Sequence, residues 1–374
     1  MQDFDFIVIG AGIAGASAGY ELAASGRVVV LEHESQPGYH STGRSAAQYI
    51  QSYGNATVRA LTVGAWPFFS DPPEGFAEHA LLSPRGVLYV GRPDQRAALD
   101  RFAEAARQLV ANIRCLDAAA ARDLVPVLRA EVLGGAVLEP DAMDIDVHAL
   151  HQGYLRGLRA RGGRVVTDAE VRGLQHGPAG WLAETPAGAF TAPIAVNATG
   201  AWCDEVAKLA GAKPLGLVPK RRTIITFAAP AGFDIASWPL VAGIGEDYYF
   251  KPDAGRLLGS AGDETPVPPS DVQPEELDVA IAVDRIEAAT ELKIQRIGNK
   301  WAGLRSFVAD KTLVAGFDPE REGFFWLAGQ GGYGIQTAPS MGRIAAALAT
   351  GRALPPDLAD LGVEAARLSP GRFA

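Results

Sequence analysis

The chain has 374 residues, 48% of them hydrophobic and 21% charged, the balance of a soluble globular protein large enough for two interleaved domains. Its formal net charge of −9 repels polyanions and argues against a nucleic-acid partner. No apolar run reaches the roughly 18–20 residues of a membrane helix, which excludes a transmembrane segment while leaving peripheral membrane contact open.

The first residues, MQDFDFIVIG, show neither a basic n-region nor a cleavage site, so no export signal is expected. Only Cys115 and Cys203 are present. Two such distant cysteines read as free thiols in a reducing compartment, and the expected location is cytoplasmic.

In chain order, residues 5–9 form an apolar run that ends at glycine. A helical pattern follows from Ile13 to about Ala24, Gly26 breaks it, and Val28 to Leu31 is a second apolar run. This is the βαβ opening of a doubly wound sheet. Helices are expected near 94–111, 117–124 and 148–160, and strands near 164–167 and 193–197. From 221 to 260, short alternating runs predict antiparallel strands. The stretch 262–272 reads as an exposed Pro- and acid-rich loop. Residues 273–293 read as a helix carrying Pro274, Glu275 and Glu276 in its first turn. The C-terminal part returns to a strand (FFWLAG), a glycine loop (QGGYG) and a helix. There is no internal repeat.

Three motifs carry chemistry. In Gly10-Ala-Gly12-Ile-Ala-Gly15, Gly10 permits a tight turn, Gly12 lets a pyrophosphate approach the backbone, and Gly15 lets helix pack on strand. Glu32, at the end of the second strand, is placed for ribose hydroxyls. The segment PIAVNATG sets an apolar strand before Ala198 and Gly200, like the second FAD-side motif of two-dinucleotide-binding flavoproteins. Gly329, Gly331, Gly332 and Gly334 lie between a strand and a helix whose positive end suits the pyrimidine ring of reduced flavin. These features favour FAD over NAD. A fourth run, Thr42 to Ala47, is small enough to approach a flat ring. Ser45 there reads either as a hydrogen-bonding group near flavin or as a loop-to-helix cap. The cluster Lys220-Arg221-Arg222 reads, on its own, as a solvated strand entrance.

The runs GYHSTGRSAAQY, LVPKRR, YYFKPDAG, WAGLRSFVAD and QGGYGIQT together resemble the D-amino acid oxidase and glycine oxidase superfamily, most of all its bacterial D-arginine dehydrogenase branch. The likeness runs from the first strand to the C-terminal LSPGRF. It implies an α/β fold, a Rossmann-like FAD-binding domain (1–82, 145–218 and 303–374) with an inserted, mostly antiparallel α+β substrate domain (83–144 and 219–302). It further implies that Arg222 and Arg305 clamp a substrate carboxylate with help from Tyr249, that Tyr53 lines the pocket, and that the Gly332 carbonyl accepts from the substrate amine. Arg44, Ser45, Ala46, Val171, Ile335 and Gln336 would join the glycines in holding FAD. The implied reaction is oxidative deamination of a D-amino acid by hydride transfer to flavin N5, with a quinone or other acceptor taking the electrons. Neither cysteine lies in the C-terminal flavin segment, so FAD is expected to be noncovalent; no metal is implied.

The D-arginine-oxidising branch carries a glutamate, a histidine and a threonine around the substrate side chain. An ungapped comparison, registered on SPR at 83–85, puts Val87, Gln48 and Ile50 in their places. No carboxylate is left there to meet a guanidinium, so the expected preference is for neutral or apolar side chains. Competing readings are oxidation of a secondary amine such as sarcosine, oxidation of a 2-hydroxy acid, and a flavin-binding subunit without its own catalysis.

Overall fold

The computed structural model describes residues 2–373. Its nucleotide sheet has six strands in the order Arg164–Val166, Val28–Leu31, Phe6–Ile9, Ile194–Asn197, Phe324–Ala328, Val314–Phe317. The first five run parallel and the last is antiparallel. The Phe6–Ile9 and Val28–Leu31 runs are buried throughout, as a parallel sheet covered on both faces requires. Ile13–Leu22 packs between this sheet and the C-terminal helix Gly334–Ala349.

A nine-stranded, mostly antiparallel sheet carries the rest of the site. At one end of it lies the long pairing of Val218–Ala228 with Ile297–Phe307. These two strands run unbroken through residues 218/219 and 302/303, so the stretches assigned to the two domains meet inside a strand pair rather than in linkers.

Several elements differ from their expected form. The helix expected over 273–293 is Glu276–Ala289, preceded by Glu275 as its N-cap residue, and Pro274 lies outside it. The loop 262–272 is not wholly exposed. Thr265–Pro266 pairs as an edge strand, and Asp263 turns inward, where both its oxygens accept from the Thr223 amide at 2.9 Å. No helix follows Ser45, so its capping alternative fails; the next strand is Gln48–Tyr49. The next helix, Ala56–Ser70, was not foreseen because Gly64 and Pro67 interrupt its pattern. Asn55 caps it by accepting from the Val58 amide at 3.0 Å.

The glycine turn explains itself by crowding. Gly10 has φ +97°, and a Cβ there would sit 2.7 Å from the Ala198 carbonyl oxygen. A Cβ on Gly15 would collide with the Gly10 carbonyl. Gly15→Ala is therefore expected to destabilise the protein by about 1–3 kcal/mol through overpacking. Thermal denaturation with flavin content checks this, and an unchanged transition would show that helix and turn are not tightly apposed.

Candidate active site

A cavity of about 470 Å³ runs from Gly10 and Gly12 to Arg222 and Arg305. At its first end, Gly12 precedes the Ile13–Leu22 helix with no side-chain cap. The neighbouring amides are used: Ala11 donates to Glu32 at 2.8 Å and Ile13 to Thr42 at 3.0 Å. Among the described residues, the Gly12 and Ala14 amides have no acceptor. Two free helix-start donors facing a glycine-lined cavity fit a pyrophosphate. Glu32 also accepts from the Glu34 amide at 3.0 Å, so it braces both turns while facing the cavity. Ser45, Ala46, Val171, Ala198, Gly200, Gly331, Gly334 and Ile335 all line the same space.

Two cofactor-side residues gain partners the sequence did not show. Gly15, read as the helix-packing glycine, does not line the cavity and sits at the helix–turn contact. Gln336 is likewise absent from the wall, because its amide is fully engaged: it accepts from the Ile50 amide at 3.2 Å and donates to Thr62 at 2.8 Å. Arg44 does reach the cavity, but its guanidinium bonds Asp271, the Val272 carbonyl at 3.0 Å and the Ala302 carbonyl at 3.1 Å. It straps the 271–272 loop and the Ile297–Phe307 strand to the nucleotide side.

The sequence reading missed an aromatic group at the nucleotide end. Trp202 stands 4.8 Å from the His40 ring and 5.6 Å from the His33 ring, with Glu34 hydrogen-bonded to His40. The signal was weak, since two histidines and a tryptophan scattered over 170 positions form no motif.

At the other end, the strand register decides which charges face inward. Arg222 pairs with Gly303, and Arg305 with Lys220. Residues two apart on a strand share a face, so Arg222 and Arg305 project to the same side on a diagonal. Arg221 projects to the opposite side, where it meets Asp278 at 2.8 Å and Glu275 at 2.6 Å. The basic cluster is thus not a solvated entrance; both arginines are buried. Arg222 donates to the Asp263 carbonyl at 2.8 Å and lies 3.5 Å from Glu264. Burial, and then the nearby Arg305 charge, push the Arg222 pKa below its usual value. Arg305 donates to the Tyr53 hydroxyl at 3.3 Å and has no carboxylate in contact among the described residues. The Tyr249 hydroxyl is buried without a hydrogen-bond partner. Two cations at the cavity, with an unpaired hydroxyl close by, suit an anion. Gly332 closes this end: a Cβ there would stand 3.0 Å from the Arg305 guanidinium and 3.2 Å from the Tyr53 hydroxyl.

Ile50, Val87, Tyr89, Ala242 and Tyr249 share one apolar cluster. Gln48, two residues before Ile50 on the Gln48–Tyr49 strand, donates to Asp144 at 2.9 Å, leaving its oxygen without a partner among the described residues. The expectation that no carboxylate is near needs correction. Glu139 is the cross-strand partner of Val87. It was invisible because only sheet register joins positions 87 and 139. Its oxygens accept from Gln51 and Ser52.

A glycine cradle at a helix start, joined by one cavity to a buried anion site, defines a dinucleotide-dependent oxidoreductase. The profile described as DAO, FAD dependent oxidoreductase, matches residues 5–348, and the chain belongs to this family; its cofactor is FAD. The N-methyl-L-tryptophan oxidase of Salmonella typhimurium is 25% identical over 93% of this chain and 95% of its own. The glycine oxidase of Geobacillus kaustophilus superposes with a TM-score of 0.83 at 22% identity, covering 94% of this chain and 96% of its own. The L-proline dehydrogenase of P. horikoshii gives 0.83 at 20% identity, covering 100% and 98%. These two structures share the fold.

Arg305→Met is expected to keep flavin while weakening substrate binding by about 2–5 kcal/mol, the cost of removing one partner from a buried charge pair. Steady-state kinetics with flavin quantification checks it. Near-normal KM would place the anion site elsewhere.

Proposed function

We propose that the protein oxidises the Cα–N bond of D-amino acids. The observation that carries this reading is the pair Arg222 and Arg305 at one end of the cofactor cavity, with the unpartnered Tyr249 hydroxyl buried close enough to both to act on their charges. Bidentate guanidinium pairing suits a carboxylate and survives dehydration. FAD, held by the glycine turns, would supply the hydride acceptor for Cα when bound. The chain fixes the substrate: the arginines and Tyr249 hold the carboxylate, and the Gly332 carbonyl accepts from the amine. Tyr53 closes the site over Arg305. The amine must be neutral for its lone pair to assist, and no protein base is assigned. The released imine hydrolyses in water to a 2-oxo acid and ammonium.

The division into an FAD-binding part (1–82, 145–218, 303–374) and a substrate part (83–144, 219–302) belongs to this reading, as does transfer of electrons to a quinone or similar acceptor. FAD is held noncovalently. Cys115 and Cys203 both lie off the cavity wall, and burial pushes the Cys203 thiol up to about 12. Among the described residues no helix is long and apolar enough to cross a membrane.

A second reading is oxidation of a secondary amine. The names of two similar proteins, N-methyl-L-tryptophan oxidase and L-proline dehydrogenase, favour it.

For the side chain, Val87 and Ile50 offer burial worth about 0.8 kcal/mol per methylene. Glu139 is already occupied by three donors, so an arriving guanidinium finds no free carboxylate and stays poorly solvated. D-Leucine, D-methionine or D-phenylalanine should therefore show higher kcat/KM than D-arginine. Val87→Glu would set a second carboxylate opposite Glu139, a pair that shares a proton unless a cation enters, and should shift preference towards D-arginine and D-lysine. Strong wild-type preference for D-arginine would contradict the assignment and point to Glu139, or to Glu246 and Asp247 just before Tyr248, as the recognising acid. A panel of D-amino acids assayed on both proteins decides.

A further inference from the structure

Glu139 is a buried carboxylate with no part in the chemistry above. It ends the Gly135–Glu139 strand and is 1% exposed. A carboxylate so placed must be hydrogen-bonded. Among the described residues its bonds come from two consecutive positions. One oxygen accepts from the Gln51 amide at 2.9 Å; the other accepts from the Ser52 amide at 3.4 Å and from the Ser52 hydroxyl. Among the described residues no cation pairs with it.

The next residue is Tyr53, whose hydroxyl accepts from Arg305. The residue before Gln51 is Ile50, whose amide donates to Gln336. The segment 50–53 belongs to no strand or helix, so side chains satisfy the amides of 50–52 in place of a ladder, and the Tyr53 amide donates to the Ile50 carbonyl at 3.4 Å. Gln336 holds one end and Glu139 the middle, and Tyr53 then reaches the anion site. Register places Glu139 beside Val87 on the side of Tyr89, so the segment is drawn against the face that carries Tyr249.

We infer that Glu139 is a positioning residue: its carboxylate fixes the 50–53 segment and so sets the Tyr53 hydroxyl beside Arg305. A carboxylate suits this task because three donors converge on it. A glutamine side chain offers one acceptor oxygen. It can serve the Gln51 amide and donate its NH2 to the Ser52 hydroxyl, but it leaves the Ser52 amide unpaired.

The kinetic arm rests on the proposed function; the exchange arm does not. The test uses the flavin-loaded full chain with Glu139→Ala, Glu139→Gln and Ser52→Ala. Hydrogen–deuterium exchange is followed in peptides spanning 48–56, and kinetics are measured on whichever amino acid or amine the wild type oxidises best. Loss of these buried hydrogen bonds from the segment should raise KM about tenfold in Glu139→Ala, with kcat per bound flavin changed far less. Exchange at 50–53 should rise while the nucleotide sheet keeps its protection. Glutamine should recover part of both effects. Ser52→Ala, which leaves the carboxylate in place, should shift both in the same direction by less, and it serves if the alanine variant at 139 fails to fold. Unchanged KM with unchanged exchange at 50–53 would overturn the inference. So would a loss of flavin and kcat together at constant KM, which marks a purely structural role. A wild type that oxidises no D-amino acid would instead refute the proposed substrate and leave the exchange result to decide on Glu139.

Discussion

Two like charges held on one face of a single strand pair set the terms for this molecule. The register of Val218–Ala228 against Ile297–Phe307 puts Arg222 opposite Gly303, two residues from Arg305. Glycine at 303 leaves the space across from Arg222 without a side chain. The two guanidinium groups repel each other in a buried setting, where opposing charge is scarce. Glu264 at 3.5 Å and the Asp263 carbonyl moderate Arg222, and Tyr53 is the hydrogen-bonding neighbour of Arg305. Tyr249 and Glu264 also favour the charged form of Arg305, and on the proposed reading a bound carboxylate would complete the balance.

The rest of the fold brings that anion site to the cofactor. The nucleotide sheet gathers strands from the start, middle and end of the chain, and its glycine turns open onto the cavity that Arg222 and Arg305 close. Arg44 ties the two sides together by reaching the 271–272 loop and Ala302. Arg221 does the corresponding work behind the strand pair by anchoring the Glu276–Ala289 helix through Asp278. Adjacent arginines thus serve opposite faces, one structural and one facing the ligand.

Local pattern revealed what local physics controls. The glycines of the first turn, the buried strands beside them and the C-terminal glycine loop were readable because turn geometry and hydrophobic periodicity are encoded within a few residues. Resemblance supplied Arg222 and Arg305, but it did not supply the reason that Arg221 differs from Arg222; that depends on strand alternation across a pairing about 80 positions apart in sequence. The further partners of Gln336 and Arg44 were hidden for the same cause, since those at 62, 50, 271 and 302 lie far along the chain. Glu139 was hidden most completely. Nothing near it in sequence signals a site, and only register brings it beside Val87.

The most direct measurement of the central claim is anaerobic mixing of the flavin-loaded protein with matched panels of D-amino acids, L-amino acids and N-methyl amino acids, following flavin absorbance. The account predicts rapid bleaching by D-amino acids and little by their L or N-methyl counterparts. Bleaching by L- or N-methyl compounds alone, or by none of the three panels, would contradict it.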